Sequence, residues 1–204
     1  MQWLAPGTRT TIAGKTGCGK TTLATALLAQ SRQCWIIVDA KHDTALAALN
    51  PARVDDGNLD KISRAWARGS QYVAVTLPPG STPDDYDDLI LAAYERFANF
   101  GLFVDELYLI HRNGRAGPGL EAILTRGRST RNTYLGLTQR PRWVSMFCFS
   151  EAEAVIGMQL TTEADRKRIV ELTGADEFLK PLDKFVGLCY LVDSGSTFIV
   201  RTED

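Results

Sequence analysis

The sequence predicts an α/β fold, built on a mainly parallel central sheet covered on both faces, and three observations carry that prediction. Short continuous apolar runs recur along the chain, the composition of strands buried on both sides. Stretches with helical periodicity separate them. Between the first run and the first helix stands Gly14-Lys15-Thr16-Gly17-Cys18-Gly19-Lys20-Thr21, a glycine-rich turn of the kind that joins strand to helix in such sheets.

Each element has its own signal. Thr11-Ile12-Ala13 is the first apolar run, and the helix after the turn runs from Gly19 to about Gln30, with Leu23, Ala26 and Leu27 on one face. Cys34 to Asp39 and Tyr72 to Leu77 are the next strands. Pro78-Pro79-Gly80 breaks the chain, Thr82 caps a helix with Pro83 in its first position, and Tyr86, Leu89, Ile90, Ala93, Tyr94 and Phe97 recur at helical spacing to about Asn99. A strand at Leu102 to Leu107 leads to a loop from Gly114 to Gly119 and a helix from Leu120 to about Thr125. Tyr134 to Thr138 and Ala154 to Met158 read as strands, and Thr162 to about Leu172 as an amphipathic helix. Phe185 to Val192 and Thr197 to Arg201 form a C-terminal β-hairpin around Asp193-Ser194-Gly195-Ser196. Alternating strands and helices imply right-handed crossovers, with ligands bound beyond the carboxyl ends of the strands.

At 204 residues, 45% hydrophobic and 23% charged, the chain reads as a single globular domain over residues 1–204. No run approaches the roughly 18 apolar residues of a membrane helix, and the N-terminus lacks a signal peptide's order, so a cytoplasmic protein without membrane insertion is expected. Cys18, Cys34, Cys148 and Cys189 are scattered, and His42 and His111 are the only histidines, which speaks against a zinc site or disulfide framework. The net charge of −1 hides an asymmetry: between Arg112 and Arg142 stand seven arginines against one acid, Glu121. Asp84, Asp85, Asp87 and Asp88 balance part of that excess and read as a solvated first helical turn. Local arginine suits phosphate.

The glycine-rich turn spells G-x-x-x-x-G-K-T, the P-loop. Its glycines let successive backbone N–H groups converge on phosphate oxygens, with a helix N-terminus behind them. Residues Gly14, Lys15, Thr16, Gly17, Cys18, Gly19, Lys20, Thr21 and Thr22 are therefore expected to bind nucleotide, with Lys20 on the β- and γ-phosphates and Thr21 on Mg²⁺. Lys15 reads as a solvated side chain and Cys18 as a small spacer. Asp105-Glu106 closes an apolar strand, where a P-loop NTPase keeps its Walker B carboxylates. Asp105 would hold Mg²⁺ and Glu106 would polarise the water that attacks the γ-phosphate. This pair favours ATP hydrolysis, and no guanine-reading N-K-x-D appears. Gln139, after the next strand, can sense the γ-phosphate or orient water, because its amide both donates and accepts. Arg128 can complete a neighbouring subunit's site.

Together, the P-loop, Asp39-Ala40-Lys41, Val104-Asp105-Glu106, Gly127-Arg128 and Thr138-Gln139-Arg140-Pro141 resemble the FtsK/HerA superfamily of ring-forming DNA-pumping ATPases, from about Thr10 to Asp165 and more weakly to the end. The resemblance implies a RecA/FtsK-like P-loop ATPase motor, with Lys20 and Thr21 on nucleotide, Asp105 on Mg²⁺, Glu106 as catalytic base, Gln139 as sensor and Arg128 as the finger acting in trans, ahead of Arg126 and Arg131. The membrane segments and DNA-orienting domain of chromosome pumps are missing from these residues, as are the anchor and all-helical domain of conjugation couplers. What remains is similar to the genome-packaging ATPases of tailless viruses with double jelly-roll capsids. The implied function is Mg-ATP-dependent translocation of double-stranded DNA by a homo-oligomeric ring, a pentamer or hexamer, with capsid vertex proteins as further partners. Arg112 and Arg115 are the candidate DNA contacts. Trp143, Phe147 and Phe149 read as core or interface. A minimal plasmid or chromosome pump, a P-loop kinase with Arg126 to Arg131 as a lid, and a nucleotide-gated assembly protein are the competing readings.

Overall fold

The computed structural model describes residues 3–39 and 44–202. Strand β1 (Arg9–Ala13) passes through the P-loop into α1 (Lys20–Ala29), and β2 (Cys34–Val38) and β3 (Ala52–Val54) follow. The middle of the chain is α2 (Leu59–Ala67), β4 (Tyr72–Val75), α3 (Pro83–Arg96), β5 (Phe100–Val104), α4 (Pro118–Arg126) and β6 (Thr133–Thr138). It ends with the short α5 (Phe147–Ser150), β7 (Ala154–Gly157), α6 (Glu163–Thr173), β8 (Val186–Leu191) and β9 (Ser196–Arg201). Among the described residues these strands make one sheet, in the order β3-β4-β2-β5-β6-β1-β7-β8-β9. Strands β1 to β7 are parallel, and β8 and β9 extend the sheet as an antiparallel hairpin.

Alternation along each strand fills two cores. Ile36, Val38, Leu102 and Val104 pack on one face against α3 and α4 through Leu89, Ile90, Leu120 and Ile123. Trp35, Ile37, Phe103 and Leu135 face the other way, onto Leu23, Ala24, Leu27 and Leu28 of α1. Continuous apolar strands are thus required, since neither face meets water. The buried stripe of α1 corrects the expected one: Ala26 is exposed, because at about 100° per residue it falls on the side opposite Ala24 and Leu28.

Several boundaries also shift. The strand before Asp105-Glu106 ends at Val104, so both carboxylates sit just beyond it. Two elements fall outside the expected ones: β3, which has only three residues, and α2, which Asn58 caps and which packs Leu59, Ile62, Ala65 and Trp66 on the core at helical spacing. The Thr82 cap holds as expected, in a reciprocal capping box with Asp85 and with Pro83 in the first turn.

Asp84, Asp85 and Asp88 are exposed, as expected of a solvated acidic turn, but Asp87 is not. It is 5% exposed, and its carboxylate accepts from the backbone N–H groups of Gly119 (2.8 Å) and Leu120 (2.9 Å), capping α4 from α3. The loop expected over residues 114–119 also ends earlier. The helix begins at Pro118, and a Cβ at Gly117 would fall 2.3 Å from the Asp87 carboxyl carbon, so two of the glycines serve close packing. Asp87→Ala is expected to lower stability by about 2 kcal/mol, since it strips a charged cap from two buried N–H groups. Urea unfolding should show this as a lower midpoint at unchanged slope.

Candidate nucleotide-binding site

The P-loop is strung between two strand ends. Gly14 N–H donates to Thr138 O at 3.0 Å, at the end of β6, and Lys15 N–H donates to Gln159 O at 2.7 Å, beyond β7. Gly17 (φ 74°) and Gly19 (φ 96°) take the left-handed conformation that the turn needs. A Cβ at Gly14 would fall 2.7 Å from Cys18 Sγ and 2.9 Å from Met158 Cβ. Cys18 is fully buried, and burial pushes its thiol above its ordinary pKa although Lys20 opposes the shift. Its place as a neutral spacer follows. Lys15, as expected, is exposed. No side chain caps α1, which leaves the start of the helix to the P-loop backbone.

Around the loop lies an open cleft of about 400 Å³, lined by Thr16, Gly17 and Gly19 to Thr22 on one side and by Ala45, Asp105, Glu106 and Gln139 on the other. Lys20, 7% exposed, crosses the loop with its ammonium donating to Lys15 O at 2.9 Å. Thr21 Oγ1 donates to Asp105 Oδ1 at 3.4 Å. A hydroxyl and a carboxylate side by side at the cleft wall are hard oxygen donors, the set that suits a magnesium ion sharing its shell with phosphate and water. Glu106 is 2% exposed and accepts from the backbone N–H of Gln139 at 3.1 Å. The Gln139 side chain in turn accepts from Thr16 Oγ1 at 2.6 Å. A chain of contacts therefore runs from the P-loop through Gln139 to Glu106, a link that no sequence pattern announced.

Other expected residues lie elsewhere. Arg128 sits in the turn between α4 and β6, against Gly7, at the amino edge of the sheet. Gln139 is at the opposite end of the six-residue β6, roughly 20 Å away at 3.3 Å per residue. Arg128 therefore cannot serve its own cleft. The Arg126 guanidinium lies 5.5 Å over the Tyr94 ring, and Arg131 has a left-handed backbone at φ 59°. Arg112 and Arg115 face each other across a tight turn, joined by backbone hydrogen bonds of 3.1 and 3.0 Å. Arg112 also pairs with Asp84 at 2.6 Å. Asp39 is buried beside Arg53 at 3.5 Å, whereas Ala40 and Lys41 of the same motif, and His42, lie outside the described residues. Phe149 is core, Phe147 is partly buried, and Trp143 is 59% exposed, which removes core but not interface from its two expected places; it rests edge-on against Tyr108, with the Arg140 guanidinium 5.6 Å from its ring.

No protein-family model matches the chain. Over 168 residues it is 30% identical to DNA packaging ATPase P9 of Enterobacteria phage PRD1, covering 79% of this chain and 68% of that protein. The genome packaging NTPase B204 from Sulfolobus turreted icosahedral virus 2, solved in complex with ATP-gammaS, superposes with a TM-score of 0.79 at 19% identity over 98% of this chain and 99% of that one. VirB4 of Thermoanaerobacter pseudethanolicus shares the fold at a TM-score of 0.68 and 11% identity, over 96% and 89% of the two chains. With the P9 relationship covering over two thirds of both sequences, this chain belongs to the family of viral DNA-packaging ATPases.

Proposed function

We propose that residues 1–204 form one motor domain that hydrolyses Mg-ATP and drives double-stranded DNA into a viral capsid as a homo-oligomeric ring. The observation that carries this reading is the meeting of Thr21, Asp105, Glu106 and Gln139 around one P-loop cleft. In it the P-loop amides and Lys20 hold the β- and γ-phosphates. Thr21 and Asp105 would hold Mg²⁺, which draws charge from the γ-phosphoryl group. Glu106 takes the proton of the attacking water, and Gln139 orients that water or the γ-phosphate. Arg128 enters the neighbour's cleft from the opposite sheet edge, so contacts between subunits are head to tail, the arrangement that closes into a ring. The ring would engage a capsid vertex and work in the virion or the host cytoplasm. No helix among the described residues is long and apolar enough to cross a membrane.

Arg112 and Arg115 would grip DNA phosphates without reading bases; Arg112 must first exchange Asp84 for phosphate. Duplex DNA is expected to raise the ATPase rate severalfold regardless of sequence, with no phosphorylated acceptor. A rate indifferent to DNA, or phosphoryl transfer to a small molecule, would overturn this reading.

A further inference from the structure

Strands β8 and β9 reach the P-loop from the side away from Glu106. The sheet order puts β5 and β6, with Asp105, Glu106 and Gln139 beyond their ends, on one side of β1, and β7, β8 and β9 on the other. Because β8 and β9 are antiparallel, β8 begins and β9 ends at the edge where β1 gives way to the P-loop. Gly157 pairs with Leu188, and Val186 with Arg201. Phe185 and Thr202 flank that edge.

Their contacts are close. A Cβ at Gly19 would fall 2.5 Å from Thr202 Oγ1 and 3.0 Å from Phe185 Cδ1. Phe185 is a non-glycine residue at φ 64°, a conformation that persists only when its surroundings impose it. Here Thr202 N–H donates to the Phe185 carbonyl at 3.0 Å. The half-buried ring carries the Lys184 ammonium 4.3 Å from its centroid. An aromatic ring, a cation and a hydroxyl thus converge beside Gly19, and the phosphate chemistry uses none of them.

A nucleoside triphosphate is a linear ligand, and its direction in the cleft follows from its γ end. That end must lie against Glu106 and Gln139, on the β5–β6 side. With the middle phosphates held by the P-loop at β1, the nucleoside leaves toward β7 to β9, where Phe185, Lys184 and Thr202 stand. We propose that these three residues form the base subsite of the nucleotide site: Phe185 offers an aromatic face to the heteroaromatic base, Lys184 a cation to its π-face or ring nitrogens, and Thr202 a hydroxyl to its polar edge. The inference rests on the reading of the cleft as a nucleoside triphosphate site.

The test compares two probes on the full-length chain, ATP and inorganic tripolyphosphate, which carries the phosphates without a base. Phe185→Ala is expected to weaken ATP about tenfold, from the typical strength of base–aromatic stacking, and to leave tripolyphosphate unchanged, with Phe185→Tyr restoring ATP. Lys184→Ala, at an exposed position that poses no threat to folding, should weaken ATP about threefold and tripolyphosphate not at all. Equal losses for both probes in Phe185→Ala would mean that the ring only props up Gly19, and unchanged ATP affinity in both variants would likewise overturn the base subsite. A wild-type chain that binds tripolyphosphate as tightly as ATP would sink the subsite alone, whereas one that binds neither would sink the nucleotide site with it.

Discussion

Replacing Glu106 with glutamine is expected to lower the ATP turnover rate by about 10²- to 10⁴-fold while leaving ATP affinity and thermal stability near those of the wild type. The two side chains have the same shape, and the amide oxygen can still accept from Gln139 N–H, so the buried contact at 3.1 Å survives. What is lost is the capacity to take a proton. Single-turnover hydrolysis beside equilibrium ATP binding separates the two effects. Turnover within a few-fold of wild type would remove Glu106 from the role of base. In the virus, the variant should yield particles without genome, and filled particles would contradict a packaging role.

Arg128→Ala is expected to cost about 10³- to 10⁵-fold in turnover, the range for an arginine supplied in trans to a phosphoryl-transfer site. The geometry makes a sharper test possible. Since Arg128 and Gln139 stand at opposite ends of β6, a subunit lacking Arg128 keeps an intact cleft, and a subunit carrying Glu106→Gln keeps an intact finger. Mixing the two inactive variants should restore measurable hydrolysis, because some interfaces then join a wild-type finger to a wild-type cleft. No recovery on mixing, together with a normal rate for Arg128→Ala alone, would exclude this arginine. The same mixture with Arg126 or Arg131 variants tests those side chains; Arg126 already packs over Tyr94.

The fold was legible where local chemistry and tertiary role coincide. The strands buried on both faces are mostly apolar, so β1, β2, β4, β6 and β7 appear in the sequence within two residues of their observed bounds, while β5, expected over Leu102 to Leu107, lies two to three residues earlier at Phe100–Val104. α3 announced itself through Thr82 and Pro83 because its cap is made of its own residues, and the structure adds Asp85 to it. β3 did not, as an edge strand of three residues, whereas α2 was missed although Asn58 and the spacing of Leu59, Ile62, Ala65 and Trp66 mark it. Asp87 was misread for another reason. Its position after Thr82 suits a solvated helix start, and only the approach of α4, allowed by Gly117 and Gly119, turns it into a buried cap.

By itself the sequence determined the phosphate-binding loop, the carboxylate pair at Asp105-Glu106 and the strand that ends just before Gln139, because each depends on residue type and spacing along the chain. Only the tertiary structure decided how they meet. Parallel neighbours in the sheet bring the ends of β1, β5 and β6 into one cleft, place Arg128 at the far edge, and lay Phe185 and Thr202 against Gly19 from β8 and β9. Those relations join residues from 33 positions apart, Glu106 and Gln139, to 183, Gly19 and Thr202, and no local pattern encodes them; they follow from strand order, which packing of the whole chain selects.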